Sequence, residues 1–320
     1  MPQAFYNKEE GVKKIFTETG AGQWGSSLAF AGQMFGIDIE VFMVKVSFDQ
    51  KPYRKLMMQS FGGICHPSPS ELTDFGKKLL ADDPNNPGSL GIAISEAIEA
   101  VVKSEGKAKY ALGSVLGHVL MHQTINGNEA ILQMEQAGDY PDIIVGCTGG
   151  GSNLAGLMFP FLGQQLRGGQ KIDIIGCEPL SCPSFTKGKY AYDHGDMARM
   201  TPLIKMHTLG SDFLPPANHS GGLRYHGMSY HLSHLYDLGL MRAKAYGQKD
   251  CFEAGVIFGK QEGIIPAPEG NHAVKGAIDA AIECKEKNES KTILFNLCGH
   301  GHFDMTAYDD YFNGKLAEDF

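Results

Sequence analysis

The glycine-rich stretch between residues 142 and 164 constrains the fold more than any other part of the chain. Its first six residues, DIIVGC, are an apolar run typical of a buried strand, and TGGG follows. Ser152, Asn153 and the pattern NLAGLMFPFLGQQL then predict the start of a helix. Glycine lets the backbone turn sharply and approach a ligand closely, and the N–H groups at a helix start attract an anion. This order predicts a phosphate site, with an ordinary strand-to-helix turn as the alternative.

Strand and helix patterns alternate along the rest of the chain. Further strands are predicted at 39–46, 64–67, 171–178 and 292–298. Helices are predicted at 25–36, 50–61, 70–80, 91–104, 128–137, 250–262 and 270–285, and residues 181–236 are predicted to be irregular loops. Alternation of this kind predicts an α/β fold with parallel sheets that helices cover on both faces.

Composition excludes several classes of protein. With 42% hydrophobic and 20% charged residues, the 320-residue chain has the balance of a globular protein and enough length for two domains. Its net charge of −8 argues against nucleic acid or an anionic membrane as the main partner. No apolar run has the length of a membrane span, and no secretion signal is visible. The seven scattered cysteines are expected to be thiols of a cytoplasmic protein.

A second glycine loop, TETGAGQWG, precedes the helix predicted at 25–36. Its N–H groups and Thr19 are suited to hold a carboxylate, by the same helix-start argument. Glu18 lies beside this loop and is a candidate proton carrier, because a desolvated carboxylate has a raised pKa. The alternative is a capped helix start with a solvated Glu18. Trp24 is a candidate pocket wall or an ordinary core residue.

Two residues near the end of the chain are further candidates. Cys298 closes the last predicted strand, where α/β folds bind ligands, although a buried structural thiol is the alternative. Glu269 either caps a helix or reaches the pocket. His226, His231 and His234 fit no ordinary zinc spacing, so we predict no metal site and expect loop and surface histidines.

Taken together, these stretches resemble the beta subunit of tryptophan synthase, and in particular its divergent second type. The resemblance runs from Ala4 to Gly301 through AFYNKEEGVKKIFTETGAGQWGSSLA, KPYRKLMMQSFG, HPSPSELT, NPGSLGIAISEA, YALGSVLGHVLMHQT, GCTGGGSN, CEP, TLGSDFLPPANHSGGLRYHGMSYHLSHL, EGIIPAPEGNHAV and ILFNLCGHG. It implies a fold type II pyridoxal-phosphate enzyme with three α/β/α layers. It also implies replacement of the hydroxyl of L-serine by indole.

The resemblance assigns roles to particular residues. The glycine loop would bind the cofactor phosphate, and Glu18 would be the catalytic glutamate. Glu269 would lie near the pyridine ring, and Cys298 would face the pyridine nitrogen, where the family usually has Ser. The phosphate residues are Gly149, Gly150, Gly151, Ser152 and Asn153, and the residues holding the substrate are Thr19, Gly20, Ala21, Gly22, Gln23 and Arg224.

Three departures from the family pattern matter. In the family, a His-Lys-x-Asn stretch carries the Schiff-base lysine shortly before the residues that match PQAFYNKEEG, and these 320 residues hold no His-Lys pair. Trp24 stands where the commoner type has His, and Arg224 stands where it has Asp. The last two changes fit the divergent type. The first leads us to expect that the chain by itself binds the cofactor weakly and makes no tryptophan.

The resemblance also predicts organisation and partners. Residues 1–122 would be an incomplete N-terminal domain that includes the mobile substrate-loop subdomain, and 123–320 would be the cofactor-binding domain. The expected ligands are pyridoxal phosphate, a monovalent cation, L-serine or phosphoserine, and indole. A homodimer and a tryptophan synthase alpha subunit are the candidate assemblies. The alternatives are a non-catalytic fragment, half of a split enzyme, or a serine or threonine dehydratase.

Overall fold

The computed structural model describes residues 1–317, which build two parallel sheets and an antiparallel hairpin. The strands are β1 (Lys14–Thr19), β2 (Asp38–Val44), β3 (Ile64–Ser68), β4 (Lys109–Ala111), β5 (Ile143–Cys147), β6 (Asp173–Pro179), β7 (Lys189–His194), β8 (Leu203–Thr208), β9 (Arg242–Tyr246) and β10 (Ile293–Phe295). The helices are α1 (Pro2–Glu9), α2 (Gln23–Phe35), α3 (Lys45–Gln50), α4 (Pro52–Ser60), α5 (Asp74–Asp82), α6 (Leu90–Lys103), α7 (Gly117–Ala137), α8 (Ser152–Leu166), α9 (Tyr230–Asp237), α10 (Gln248–Glu262), α11 (Pro268–Glu286) and α12 (Met305–Phe312).

The first sheet has the order β3-β2-β1-β4, and all of its strands are parallel. Alternate residues along each strand point to opposite faces. One face buries Ile15, Ile39 and Val41 against α2 and α4. The other face buries Phe16 and Phe42 against α6. Helices therefore cover both faces, as the sequence predicts.

The second sheet has the order β10-β5-β6-β9 and is also entirely parallel. Ile144 and Ile174 pack towards α7 and α8 on one face. Val145 and Ile175 pack on the other face, which α11 covers. The predicted strand at 142–147 and the helix that begins at residue 152 are confirmed, and so is the α/β class.

Several elements differ from the sequence prediction. Residues 181–236 are not wholly irregular, because they contain the antiparallel β7–β8 hairpin and α9. Most hairpin residues are exposed or only partly buried, so the sequence shows no apolar run there. Strands β1 and β9 are not predicted either, because buried polar residues interrupt KIFTET and charged residues interrupt RAKAY.

Helix α7 begins eleven residues earlier than predicted, at Gly117 rather than at 128. The dipeptide Asn126-Gly127 is typical of a turn, so the sequence did not predict the first half of the helix. In the structure, a Cβ on Gly127 would lie 2.3 Å from the carbonyl oxygen of Leu157 in α8. Gly127 therefore allows the two helices to approach each other closely.

The division into domains remains a proposal. The two sheets lie within residues 14–111 and 143–295, on either side of the boundary proposed at 122 and 123. Helix α7 runs through that boundary and packs on α8. Within residues 1–317, no helix is both long enough and apolar enough to cross a membrane.

Candidate active site

The cavity that contains most of the predicted site residues lies where the two sheets meet, and its volume is about 680 Å³. Strand β1 and the start of α2 supply one wall, and the turn between β5 and α8 supplies the opposite wall. The predicted residues that line it are Glu18, Thr19, Gly20, Ala21, Gln23, Trp24, Gly149, Gly150, Gly151, Ser152, Asn153, Glu269 and Cys298. These residues are far apart in sequence, so the tertiary fold brings them together.

The turn between β5 and α8 has the geometry of an anion cradle. Gly151 precedes the first residue of α8 and has φ +90, a conformation that favours glycine. A Cβ on Gly151 would lie 2.2 Å from the side chain of Leu232, and one on Gly150 would lie 2.5 Å from Val115. A side chain at either position would therefore collide with its neighbour, so the turn needs glycine at both. Ser152 accepts a hydrogen bond from the Gln123 amide, 3.3 Å away, which leaves its hydroxyl proton for a ligand.

Asn153 has a different environment from the one expected for a phosphate donor. Its amide nitrogen donates to the carbonyl oxygen of Cys147 over 3.1 Å. Its side-chain oxygen accepts from the Asn296 amide over 2.6 Å. Asn153 thus holds the turn against the ends of β5 and β10.

Glu18 is a buried carboxylic acid at the end of β1, with 2% of its surface exposed. Burial raises its pKa to about 7, although hydrogen bonds from Tyr110 and from the Gly113 N–H act in the opposite direction. The Tyr110 hydroxyl donates to Oε2 and the Gly113 N–H donates to Oε1 over 3.3 Å. A carboxyl with a pKa near neutrality can both donate and accept a proton.

The loop after Glu18 leads from β1 into the start of α2. The Thr19 hydroxyl accepts a hydrogen bond from the Gly25 N–H over 3.2 Å, and this bond connects the loop to the first turn of α2. A Cβ on Gly20 would lie 3.0 Å from the carbonyl oxygen of Gly221, so this loop packs closely on the opposite side of the cleft. Gly22 has φ +98 and precedes the first residue of α2, although it is not among the cavity-lining residues. The first N–H groups of α2, like those of α8, have no partner within the helix, which is the arrangement that favours an anion.

Glu269 and Cys298 lie on the same wall as the glycine turn. Burial favours the neutral form of Glu269, but the charge of Lys51 and the N–H of Gly222 hold its pKa below the ordinary value. Its Oε1 accepts from the Gly222 N–H over 2.8 Å, while Oε2 is buried without a partner in the structure. A ligand with a hydrogen-bond donor would satisfy that oxygen. Cys298 is exposed to the cavity.

Arg224 lies outside the residues that line the cavity. Its side chain is buried, and Nη2 donates to the Ser47 hydroxyl over 2.5 Å. Burial lowers the pKa of Arg224 to about 10. In this conformation it connects the loop at 221–224 to the start of α3 and does not reach the cavity.

Trp24 is a wall of the cavity. Its Nε1 donates to the Thr17 hydroxyl over 2.7 Å, and a Cβ on Gly113 would lie 2.3 Å from the indole ring. The hydrogen bond and the close packing fix the ring beside Glu18. Residue 24 therefore shapes the space next to the carboxyl group.

The three histidines considered as metal ligands lie apart from the cavity. His226 contacts the carbonyl oxygen of His194 over 2.9 Å, and His231 and His234 line an open groove beside α9. Within residues 1–317, no group of three or more His, Cys, Asp or Glu residues is arranged to hold a metal ion.

Sequence reasoning missed Tyr110, Gln123 and Cys147. Tyr110 lies in a short strand, Gln123 lies in the part of α7 that is not predicted, and Cys147 is assigned only to a buried strand. Their contacts reach residues 29 to 151 positions away, so no local spacing could have revealed them.

Comparisons with known proteins agree with this geometry. The family model described as "Pyridoxal-phosphate dependent enzyme" matches residues 2–299. The chain is 56% identical over 319 residues to the tryptophan synthase beta chain 2 of Aquifex aeolicus, covering 99% of this chain and 73% of the relative. It is 57% identical over 306 residues to that of Thermotoga maritima, covering 96% and 72%. The tryptophan synthase beta chain of Pyrococcus horikoshii is 53% identical, with coverages of 99% and 69%.

Solved structures support the fold. A threonine deaminase from T.th. superposes with a TM-score of 0.64 at 15% identity, covering 93% of this chain and 82% of that one. A fungal L-serine ammonia-lyase from Rhizomucor miehei gives a TM-score of 0.67 at 12% identity, with coverages of 98% and 86%. Together with the sequence matches, these results show that the chain belongs to the pyridoxal-phosphate-dependent enzymes of fold type II, in the family of tryptophan synthase beta chains.

Proposed function

We propose that this chain forms the site at which the hydroxyl of L-serine is replaced by indole to give L-tryptophan. The observation that carries the proposal is the position of Glu18. Its carboxyl group has a pKa of about 7 and lies in one cavity with two anion-binding helix starts. A single cavity can therefore hold a phosphate, a carboxylate and a proton carrier.

The residues of the cavity fit pyridoxal phosphate. The N–H groups after Gly151 and the hydroxyl of Ser152 would hold its phosphate, and the unpartnered Oε2 of Glu269 would accept from a donor near its ring. When bound, the cofactor supplies an electron sink for negative charge at the α-carbon of the amino acid. No lysine is among the residues within 1–317 that line the cavity.

The amino-acid donor would bind by its carboxylate at the loop formed by residues 19–23. Neither lysine nor arginine lines the cavity within residues 1–317. A phosphorylated hydroxyl carries about two negative charges. The two helix starts are already assigned to the cofactor phosphate and to the carboxylate, so this second phosphate would lie among the lining residues Glu18 and Glu129 with neither a helix start nor a cation to hold it. The charge of the cavity therefore favours L-serine over phosphoserine.

Tyr110, which donates to the Glu18 carboxyl group, also lines an apolar cavity of about 320 Å³. Leu112, Met228, Ile94 and Tyr225 are among the side chains that line it. Its volume falls in the range of roughly 300–1,000 Å³ for small-molecule sites. A flat apolar ring such as that of indole is the substrate that these walls favour.

Glu18 would donate a proton to one substrate and accept a proton from the other. Because its pKa is close to 7, both protonation states are present at neutral pH. The protonated form donates to the departing hydroxyl of serine, and the ionised form then accepts the N–H proton of indole. Tyr110 keeps the carboxyl group at the boundary between the cavities throughout.

The family also supports proposals about assembly and location. We propose a cytoplasmic homodimer that binds a monovalent cation and an alpha subunit. Sedimentation of the purified chain, with and without a tryptophan synthase alpha subunit, tests the two assemblies. Dialysis into a buffer whose only added cation is tetramethylammonium, followed by titration with potassium chloride, tests the cation through its effect on stability.

The test of function measures products. The chain is incubated with pyridoxal phosphate, L-serine and indole, once alone and once with a fused stretch carrying the family's His-Lys-x-Asn sequence, and tryptophan and pyruvate are quantified. Tryptophan that disappears in Glu18→Gln supports the proposal. Pyruvate without tryptophan would instead favour a dehydratase, and neither product in either arm, with cofactor bound, would favour a non-catalytic fragment.

A further inference from the structure

Two thiols meet at the edge of the cofactor cavity. Cys147 is the last residue of β5, and Cys298 lies three residues beyond the end of β10. Their sulfur atoms are 3.4 Å apart, and both residues line the cavity. We call Cys147 and Cys298 the thiol pair.

The backbone already places the thiol pair at a separation suitable for a disulfide. Strands β5 and β10 are parallel neighbours with Val145 opposite Phe295, and the Asn296 N–H continues this ladder to the Val145 carbonyl oxygen over 3.0 Å. Extended by two residues, this register puts Cys147 level with Leu297, so Cys298 is its diagonal neighbour. With strands about 4.8 Å apart and a rise of about 3.3 Å per residue, the two Cα atoms are expected about 6 Å apart, within the roughly 4.4–6.8 Å that a disulfide spans. Closing the sulfur–sulfur distance from 3.4 Å to a bond of about 2.05 Å therefore needs side-chain rotation more than backbone movement.

The two thiols differ in access to solvent. Cys298 is exposed, whereas only 2% of Cys147 is exposed. The hydrogen bond with Cys298, burial and the nearby charge of Glu269 hold the pKa of Cys147 well above its ordinary value. Cys298 is therefore the thiol that reacts first with a dissolved oxidant. Cys147 is placed to react with the oxidised Cys298.

We propose that the thiol pair is a redox modification site that hydrogen peroxide converts to a disulfide. The Cys298 thiolate attacks one peroxide oxygen, so that an S–O bond forms, the O–O bond breaks and hydroxide leaves as water after taking a proton. The Cys147 sulfur loses its proton and attacks the Cys298 sulfur. The S–S bond then forms, the S–O bond breaks and a second water leaves. Two thiols and one peroxide thus give one disulfide and two waters.

The modification acts on the wall that the cofactor would occupy. A disulfide draws Cys298 towards β5 and removes both S–H donors from the cavity. A bound cofactor would in turn cover Cys298. Protection of Cys298 by the cofactor rests on the proposed function, whereas disulfide formation in the chain without added cofactor does not.

The experiment treats the reduced 320-residue chain with hydrogen peroxide, blocks remaining thiols and digests it with trypsin without reduction. Trypsin places Cys147 in residues 110–167 and Cys298 in residues 292–315, so a disulfide joins two separate peptides. Mass spectrometry is expected to find this linked pair, which dithiothreitol separates. With pyridoxal phosphate at about ten times its Kd, the rate of linking should fall about tenfold, because only the free chain reacts.

Two variants serve as controls. In Cys147→Ser, the sulfenic acid on Cys298 should persist and be trapped by dimedone. Cys182→Ser should link like the wild type, because Cys182 is buried and donates to the Tyr225 carbonyl oxygen elsewhere. Trapping of a Cys298 sulfenic acid in the wild type, with no linked peptides, would overturn the proposal. Linking without protection would support the thiol pair and contradict the position of the cofactor.

Discussion

Glu18 shows how the environment of one side chain determines its chemistry. It is almost fully buried, and this burial favours the neutral form, so its pKa rises from 4.5 to about 7. The sequence placed Glu18 beside a glycine loop, but it left open whether the carboxyl group was solvated. The hydrogen bond from Tyr110, 92 residues away, determines where the carboxyl group lies.

The raised pKa of Glu18 makes folding stability depend on pH. Below pH 4.5 the carboxyl is protonated in both the folded and unfolded chain, and its contribution is fully present. As pH rises from 4.5 to about 7, the unfolded chain ionises first, so the folded state loses roughly 3 kcal/mol relative to Glu18→Gln. Urea unfolding of both proteins across pH 4 to 8 measures this difference. A difference that is constant with pH would show that Glu18 is not perturbed.

Replacing Tyr110 with phenylalanine should change the pKa of Glu18, and it adds no atoms that would fill the cavity. Tyr110→Phe removes a donor to the ionised carboxylate, so the pKa of Glu18 should rise further, by about one to two units. Carbon-13 NMR of labelled glutamate measures the pKa, with Glu18→Gln assigning the resonance. Tyr225→Phe is the matched control, because its hydroxyl donates to the Gly195 carbonyl oxygen in the same apolar cavity. An unchanged or lower pKa in Tyr110→Phe would contradict the positioning role.

At the scale of elements, the sequence predicts the strand, turn and helix around GGGSN correctly because each part has a local cause. Apolar residues make β5, glycines make the turn, and α8 begins where they end. Prediction failed where local and tertiary causes disagree. Gly127 lies inside α7 because α8 approaches closely there, and the β7–β8 hairpin has little apolar surface to reveal it.

Gly151→Ala tests the turn that precedes α8. An alanine at φ +90 is strained, and its Cβ would meet Leu232 and Met228, which are both fully buried. We expect a loss of roughly 2 to 5 kcal/mol in urea unfolding and weaker binding of pyridoxal phosphate. Gly138→Ala is the control, because its φ is +67 but its Cβ would meet nothing within 4 Å. That variant should lose only about 1 kcal/mol and bind the cofactor normally, and equal losses would argue against tight packing at Gly151.

At the scale of the whole molecule, a buried ion pair joins the two sheets. Lys51 lies between α3 and α4, and Asp304 lies between β10 and α12. Their side chains form an ion pair, and the side chains are 3% and 0% exposed. Water therefore cannot solvate either charge. Arg54 stacks on Phe303 next to it, with its guanidinium carbon 4.9 Å from the ring centre.

Removing one partner of this pair should destabilise the molecule. Lys51→Met leaves Asp304 buried without its cation, so the free energy of unfolding should fall by about 3 to 5 kcal/mol. Adding Asp304→Asn removes the uncompensated charge and should recover part of the loss. Lys45→Met breaks the exposed pair with Asp49, 3.5 Å away, and should cost no more than about 1 kcal/mol. A double variant less stable than Lys51→Met would contradict the argument.

The α/β class, the glycine turn and the family follow from the amino-acid sequence alone, and most of the site residues predicted from it line the cavity. Those features depend on neighbours in the chain or on motifs, and both are visible in a sequence. The three-dimensional structure was needed to show that Glu18 has a pKa near 7, that Arg224 contacts Ser47 outside the cavity lining, and that Cys147 meets Cys298. Burial and contact between distant residues produce these three properties, and neither has a local signal along the chain.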